Sequence, residues 1–246
     1  MNQNRRTATV VGVLFIIGTV AGGVGAAVTK PTLGAPDYLV QLSANQFPVT
    51  LGALLTLVMA AACAGIGISL YPILKKYNEG LALGAAGFRI MEGVLDIVGV
   101  IGLILLLALA QEFVKAGAPS ASYFQTLGAL LTTGCDWVNT VAVLLTWCIG
   151  ALIYYAVFYQ TRLVPRWLAG WGLVGCSLTI VGSLLVMFQV ITPWSTAQGV
   201  MNLPIALQEM VLAVWLIAKG FNPSAAASMS AKTATNELLS AARVAQ

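Results

Sequence analysis

An all-α, polytopic transmembrane bundle of six helices is predicted for this chain of 246 residues, and three observations predict it. The sequence is 59% hydrophobic and only 8% charged, against about 25% charged in a soluble domain. Its apolar residues fall into six runs of about twenty residues or longer, enough to cross a bilayer as helices. The runs lack the period-two alternation of barrel strands, and only helices or closed barrels satisfy their backbone groups inside lipid.

Residues 1–7 are polar and carry Arg5 and Arg6; a first span then runs from Ala8 to Val28. Gly25-Ala26-Ala27 resembles a leader cleavage site, but the run exceeds the roughly 7–15 residues of a signal-peptide core, so an uncleaved helix is expected. Its Gly18, Gly22 and Ala26 lie four apart and admit a close neighbour. Lys30 to Gln46, holding Pro31, Pro36 and Asp37, reads as a polar loop. The second span covers about Phe47 to Leu74 and stops at Lys75-Lys76; Gly52, Thr56, Cys63 and Gly67 give it a small-residue face.

A tight turn, Tyr77 to Gly80, leads into the third span, Leu81 to Ala110, whose only charges are Arg89, Glu92 and Asp96. It leaves through Gln111, Glu112 and Lys115 into a turn at Gly117 to Ser120. The fourth span, about Tyr123 to Phe158, holds Asp136 and Asn139. Its end carries Tyr154, Tyr155, Phe158 and Tyr159, the pattern of a membrane-interface belt. The fifth runs from about Trp167 to Val190, with Gly175, Thr179 and Ser183 four apart. A loop at Ile191 to Met201 precedes the sixth span, about Asn202 to Lys219, which contains Gln208 and Glu209. Residues 1–223 thus form one transmembrane domain. Residues 224–246, rich in Ala, Ser, Thr and Asn, read as a disordered cytoplasmic tail with a weak surface helix at Thr235 to Val244.

Six spans put both termini on one side. That side gathers Arg5, Arg6, Lys75, Lys76, Arg162, Arg166, Lys219, Lys232 and Arg243, against Lys30 and Lys115 on the other. The positive-inside rule makes the first side cytoplasmic. One internal echo stands out: LGALLT at Leu51 to Thr56 returns at Leu127 to Thr132, and the same offset lands on Leu203. All three lie at outer ends of even-numbered spans, as three parallel helical hairpins would place them, although Leu/Ala-rich helices also produce such matches by chance.

The chemistry lies in five ionisable groups inside the spans: Arg89, Glu92, Asp96, Asp136 and Glu209. At 100° per residue, Glu92 falls about 60° from Arg89 and Asp96 about 20° from it, so the three share one stripe that must face protein or a wet cavity. Each fixed charge at the bilayer centre costs roughly 2.5–3.5 kcal/mol, so five scattered ones would cost over about 10 kcal/mol. Clustering is therefore expected. Asp96 and Glu209 fall near the midplane, with Glu92 and Arg89 about 6 and 10 Å nearer the cytoplasm; Asp136 falls in the outer half. On the fourth span Asp136, Thr140, Val143 and Trp147 share a face, with Asn139 at its edge. One guanidinium faces four carboxylates, and it can satisfy one bidentately and touch a second. The others must be protonated, solvated or matched by a bound cation.

Several function classes are excluded or disfavoured. There is no histidine, hence no histidine-ligated haem or zinc and no histidine proton relay. Cys63, Cys135, Cys148 and Cys176 form no C-x-x-C pair and read as small packing residues. The net charge of +4 is scattered between helices, so nucleic acid is not an expected partner. No Walker loop, nucleophile elbow or kinase signature occurs. No lysine lies inside a span to activate a hydroxyl nucleophile. No catalytic residue, metal-ligand set or cofactor is indicated.

The segments GFRIMEGVLDIVG (Gly87 to Gly99), RLVPRWLAGWGLVG (Arg162 to Gly175) and LPIALQEMVLAVWLIAKGFNP (Leu203 to Pro223) carry a resemblance. Through them the chain resembles the bacterial multi-pass inner-membrane proteins grouped as domain of unknown function 4386, over about Arg5 to Pro223. The resemblance implies about six spans and a bacterial inner membrane, and no activity. Arg89, Glu92 and Glu209 occupy its motif positions without any catalytic role.

Two readings follow. In the first, Arg89, Glu92, Asp96, Asp136, Asn139 and Glu209 form a mid-membrane site that passes or senses a small cation or a proton-coupled solute. Arg89 is then the fixed counter-ion and the acids are ligands or proton carriers. In the second, the protein is a non-transporting scaffold or partner- or lipid-binding protein, and the ion network serves assembly alone. The lipid bilayer is the one partner both require; the sequence does not set the oligomeric state.

Overall fold

The computed structural model describes residues 3–119, 123–229 and 231. It is all-α, with no strand among the described residues, and six of its helical segments are long and apolar enough to cross a membrane. They are α1 (Gln3–Leu33), α3 (Gln46–Leu74), α4 (Glu79–Lys115), the continuous pair α5 (Tyr123–Trp137) and α6 (Val143–Thr161), α7 (Arg166–Met187) and α8 (Thr196–Ala218). A short helix, α2 (Tyr38–Ala44), stands between the first two spans.

The packing closes on itself in chain order. Helix α1 packs on α3, α3 on α4, α4 on α6, α6 on α7, α7 on α8, and α8 back on α1. Small residues set these contacts, because they let backbones approach. A β-carbon added at Gly12 would stand 2.7 Å from the Ala213 carbonyl oxygen, which marks the α1–α8 contact. One at Gly175 would stand 2.9 Å from Ile205 Cβ, which marks α7–α8. Gly12 and Gly175 are thus spent on helix contacts. The termini of the bundle are tied at one end: Arg5 donates to the carbonyls of Leu216, Ile217 and Ala218, the open C-terminal turn of α8.

Outward faces are apolar. Val10, Val13, Ile17 and Val20 on α1, and Ile90, Met91, Val94, Ile97 and Ile101 on α4, are exposed. Such a surface suits lipid and no aqueous solvent. The main core holds Phe15, Ile66, Leu70, Tyr154, Tyr155, Phe158, Leu168 and Leu216.

Besides the start of α8 at Thr196, inside the stretch Ile191 to Met201 expected as a loop, the fold departs from the sequence expectations in three places. The stretch Lys30 to Gln46 is mostly helical: α1 continues through Pro31 to Leu33, and α2 follows. Leu39 and Leu42 of α2, three apart on one face, are buried with Leu106, Ala110, Phe113 and Phe124 in a second core cluster. The prolines and Asp37 hid that short apolar face. Second, Tyr154, Tyr155 and Phe158 are fully buried and form no interface belt; of that group Tyr159 alone is exposed. They point into the ring, where Gly172 has no side chain to obstruct the Tyr155 ring, 2.7 Å from where its β-carbon would be. Third, past Asn222 a helical stretch covers residues 223–229, and Ala226 and Met229 are buried against the main core. The surface helix expected at Thr235 to Val244 lies outside the described residues.

The fourth span is interrupted by a π-helical turn, Val138–Ala142, with the amide of Val143 reaching back to the carbonyl of Val138. Its cause is local. Asn139 Nδ2 donates to the Cys135 carbonyl at 2.8 Å and Thr140 Oγ1 to the Asp136 carbonyl at 2.6 Å. Gln198 of α8 donates to the Thr140 carbonyl at 3.2 Å. Side chains that compete for main-chain acceptors loosen the regular ladder. The two LGALLT copies share one local feature: Thr56 and Thr132 each donate to the carbonyl four residues back, at Gly52 and Gly128.

Candidate functional site: a charged cluster inside the helix ring

The site begins with the α3–α4 hairpin. Asn78 caps α4 by accepting from the Leu81 amide at 2.9 Å, and the two helices then run back along each other. A β-carbon at Gly67 would meet Arg89 Cβ at 2.7 Å and Ala86 Cα at 3.1 Å; one at Gly93 would meet the Ala60 carbonyl oxygen at 2.8 Å. Ala60, Cys63 and Gly67 on α3 therefore lie directly against Ala86, Arg89 and Gly93 on α4. On the other flank, a β-carbon at Gly150 of α6 would stand 3.0 Å from Phe88 Cβ and 3.5 Å from the Arg89 amide. The α4 stripe is clamped between two neighbours that have no bulk.

All three stripe residues are buried, with Arg89 at 2%, Glu92 at 5% and Asp96 at 1% exposure. Arg89 Nη1 lies 2.9 Å from Glu92 Oε2. The N–H does not aim at the oxygen, so neither atom has a hydrogen-bond partner. The guanidinium carbon stands 5.9 Å from the Phe15 ring centroid of α1, a long cation–π contact across the ring interior. Asp96 has both carboxylate oxygens buried without a hydrogen-bond partner, as does Arg89 Nε. Ligand atoms of Cys63, Glu92 and Asp96 lie within 4.8 Å of one another.

Glu209 of α8 belongs to the same region. It is buried and interacts electrostatically with both Arg89 and Glu92. Trp147 of α6 donates its indole N–H to Glu209 Oε1 at 3.2 Å. Below it, Tyr155 donates to Gln208 Oε1 at 2.5 Å, and Gln208 Nε2 donates to the Leu168 carbonyl at 2.9 Å. That chain locks α6, α7 and α8 together. The Tyr154 hydroxyl is buried beside it without a partner, as are Thr179 and Ser183 on α7.

Asp136 and Asn139 do not join the cluster. Asp136 is half-buried and accepts from the Trp194 indole at 2.6 Å; Lys30 lies over the same indole, 4.0 Å from its centroid, and attracts the carboxylate. Asn139 is committed to the Cys135 carbonyl and lies beside Gly99. The expectation of one pocket for all five ionisable groups is therefore corrected. The fourth-span acid pairs near its own end, because the azimuth of the helix turns it toward the loop before α8. The interior then holds one guanidinium and three carboxylates. Cys63 was read from sequence as packing only; its signal was the α3 small-residue face, which meets the charged stripe.

The fold and this cluster define an α-helical polytopic membrane protein with a polar, charged interior. Within that class, a family model described as a domain of unknown function, DUF4386, matches residues 10–220, and the chain belongs to that family. Neither the curated proteins nor the solved structures provide a match.

Proposed function

We propose that the protein passes or senses a proton or small cation at Glu92 and Asp96. The observation that carries this reading is Asp96: two carboxylate oxygens, buried, with no protein partner, beside Glu92 and Cys63. An ionised carboxylate so placed is expensive in a membrane interior, and a proton or a cation relieves it. Of the two, the proton fits better. The fixed charge of Arg89, 2.9 Å from Glu92, repels a divalent ion among the same oxygens. Arg89 then serves as permanent counter-ion, and Glu209 as a second carrier held by Trp147.

On this reading the chain sits in a bacterial cytoplasmic membrane with both termini in the cytoplasm. The charge asymmetry of its loops supports that orientation. The helical stretch 223–229, which packs Ala226 and Met229 on the main core, would then lie at the cytoplasmic end of the bundle.

The test is the purified protein in vesicles containing a pH-sensitive dye, under an imposed proton or cation gradient. The expected result is flux that Asp96→Asn and Glu209→Gln abolish while both variants keep the parent's unfolding midpoint. A second reading, a structural brace, draws on the close Arg89–Glu92 pair. It expects both variants to lose stability and the parent to show no flux. Parent-like flux in Asp96→Asn would sink the first reading.

A further inference from the structure

We infer that the groove between the α6–α7 turn and the end of α8 holds an anionic phospholipid, headgroup above and acyl chain along α8. The inference is independent of the interior carboxylates. It starts from a cavity of about 530 Å³ whose lining includes Arg162, Pro165, Arg166, Trp215, Lys219 and Asn222. Three cations line it and no acid does. None of the three is ion-paired to a carboxylate among the described residues.

Arg166 spends one N–H on the Tyr159 carbonyl at 3.3 Å and lies over that ring at 5.1 Å, leaving its other donors for a ligand. The first turn of α7 opens at the same place, with its amides and the positive end of its dipole. The walls are built, not loose: the Asn222 amide donates to the Leu163 carbonyl at 2.8 Å and ties the exit of α8 to the turn.

A second, apolar groove of about 420 Å³ adjoins the first and shares Trp215 and Lys219 with it. It is lined by Met210, Val211, Val214 and Ala218. These residues recur at helical spacing on one outward strip of α8, with Val211 and Val214 exposed. A cationic cup at the end of three helices, opening into an apolar channel that descends along the outer face, matches an amphiphile in both halves. Trp167 and Trp215 meet edge-on at 6.5 Å there, and indoles favour the headgroup level of a bilayer. A free phosphate would use the cup and leave the channel unexplained; a zwitterionic lipid would use the channel and leave the charge unmatched.

The experiment is native mass spectrometry of the full-length protein taken from vesicles of equal phosphatidylglycerol and phosphatidylcholine. The parent should retain phosphatidylglycerol preferentially. Each cation lost on the way to the triple variant Arg162→Gln/Arg166→Gln/Lys219→Gln should lower that preference roughly fivefold. The charge-matched control Arg6→Gln/Lys75→Gln/Lys76→Gln should leave it unchanged. Val214→Trp, which fills the channel and keeps every charge, should lower retention of both lipids. Excess inorganic phosphate should displace neither. Equal retention of the two lipids by the parent, an undiminished preference in the triple variant, or displacement by phosphate would each overturn the assignment.

Discussion

Replacing Arg89 by methionine keeps most of the buried stem and removes the charge. Arg89 is among the largest fully buried side chains, and its guanidinium is the only cation within reach of Glu92 among the described residues. Its loss leaves Glu92 as a buried charge whose 2.9 Å partner is gone. Breaking one side of a buried pair costs about 3–5 kcal/mol. The loss grows with pH, because a proton on Glu92 removes the orphaned charge. Arg89→Met/Glu92→Leu removes both partners of that pair and should recover part of the loss, the remainder belonging to Asp96 and Glu209, which still lack the cation. The assay is reversible unfolding in mixed micelles, followed by circular dichroism, as a double-mutant cycle. A single variant within about 1 kcal/mol of the parent, or a double variant no more stable than the single one, would refute the reasoning.

Other consequences concern packing and polar locks. Gly93→Ala places a β-carbon 2.8 Å from the Ala60 carbonyl and should cost about 1–3 kcal/mol. Gly87→Ala, with nothing within 4 Å, should be neutral or stabilise by up to about 1 kcal/mol; the same unfolding assay reads both. Gln208→Leu strips partners from the Tyr155 hydroxyl and the Leu168 carbonyl and should cost about 1–3 kcal/mol, seen as a lowered unfolding midpoint. Asp136→Asn and Asp96→Asn should be additive in stability within about 0.5 kcal/mol; a larger coupling would return Asp136 to the interior cluster.

How much of this was legible in the sequence differs from element to element. The six spans were, because an apolar run of bilayer length has few other folded states. The α4 stripe was, because the spacing of Arg89, Glu92 and Asp96 fixes their common face whatever surrounds them. Spacing gives height and relative azimuth on one helix; it does not say which helix faces which. Glu209 reaches the stripe and Asp136 misses it for that reason. The same gap explains Tyr154 and Tyr155, whose position near a helix end looks identical in sequence whether the rings face lipid or the interior. Cys63 needed the α3–α4 contact, and that contact depends on Gly67 and Gly93 acting together. The π turn had a local signal in Asp136, Asn139 and Thr140, but its third contributor, Gln198, comes from α8.

The most direct measurement is infrared difference spectroscopy of the protein in lipid, with the aspartate carboxyls isotope-labelled and Asp96→Asn as the assignment control. An exchangeable site at Asp96 predicts a carboxyl band, absent from the variant, that changes reversibly with pH or on adding a cation. A spectrum of Asp96 unaltered by either would contradict the account.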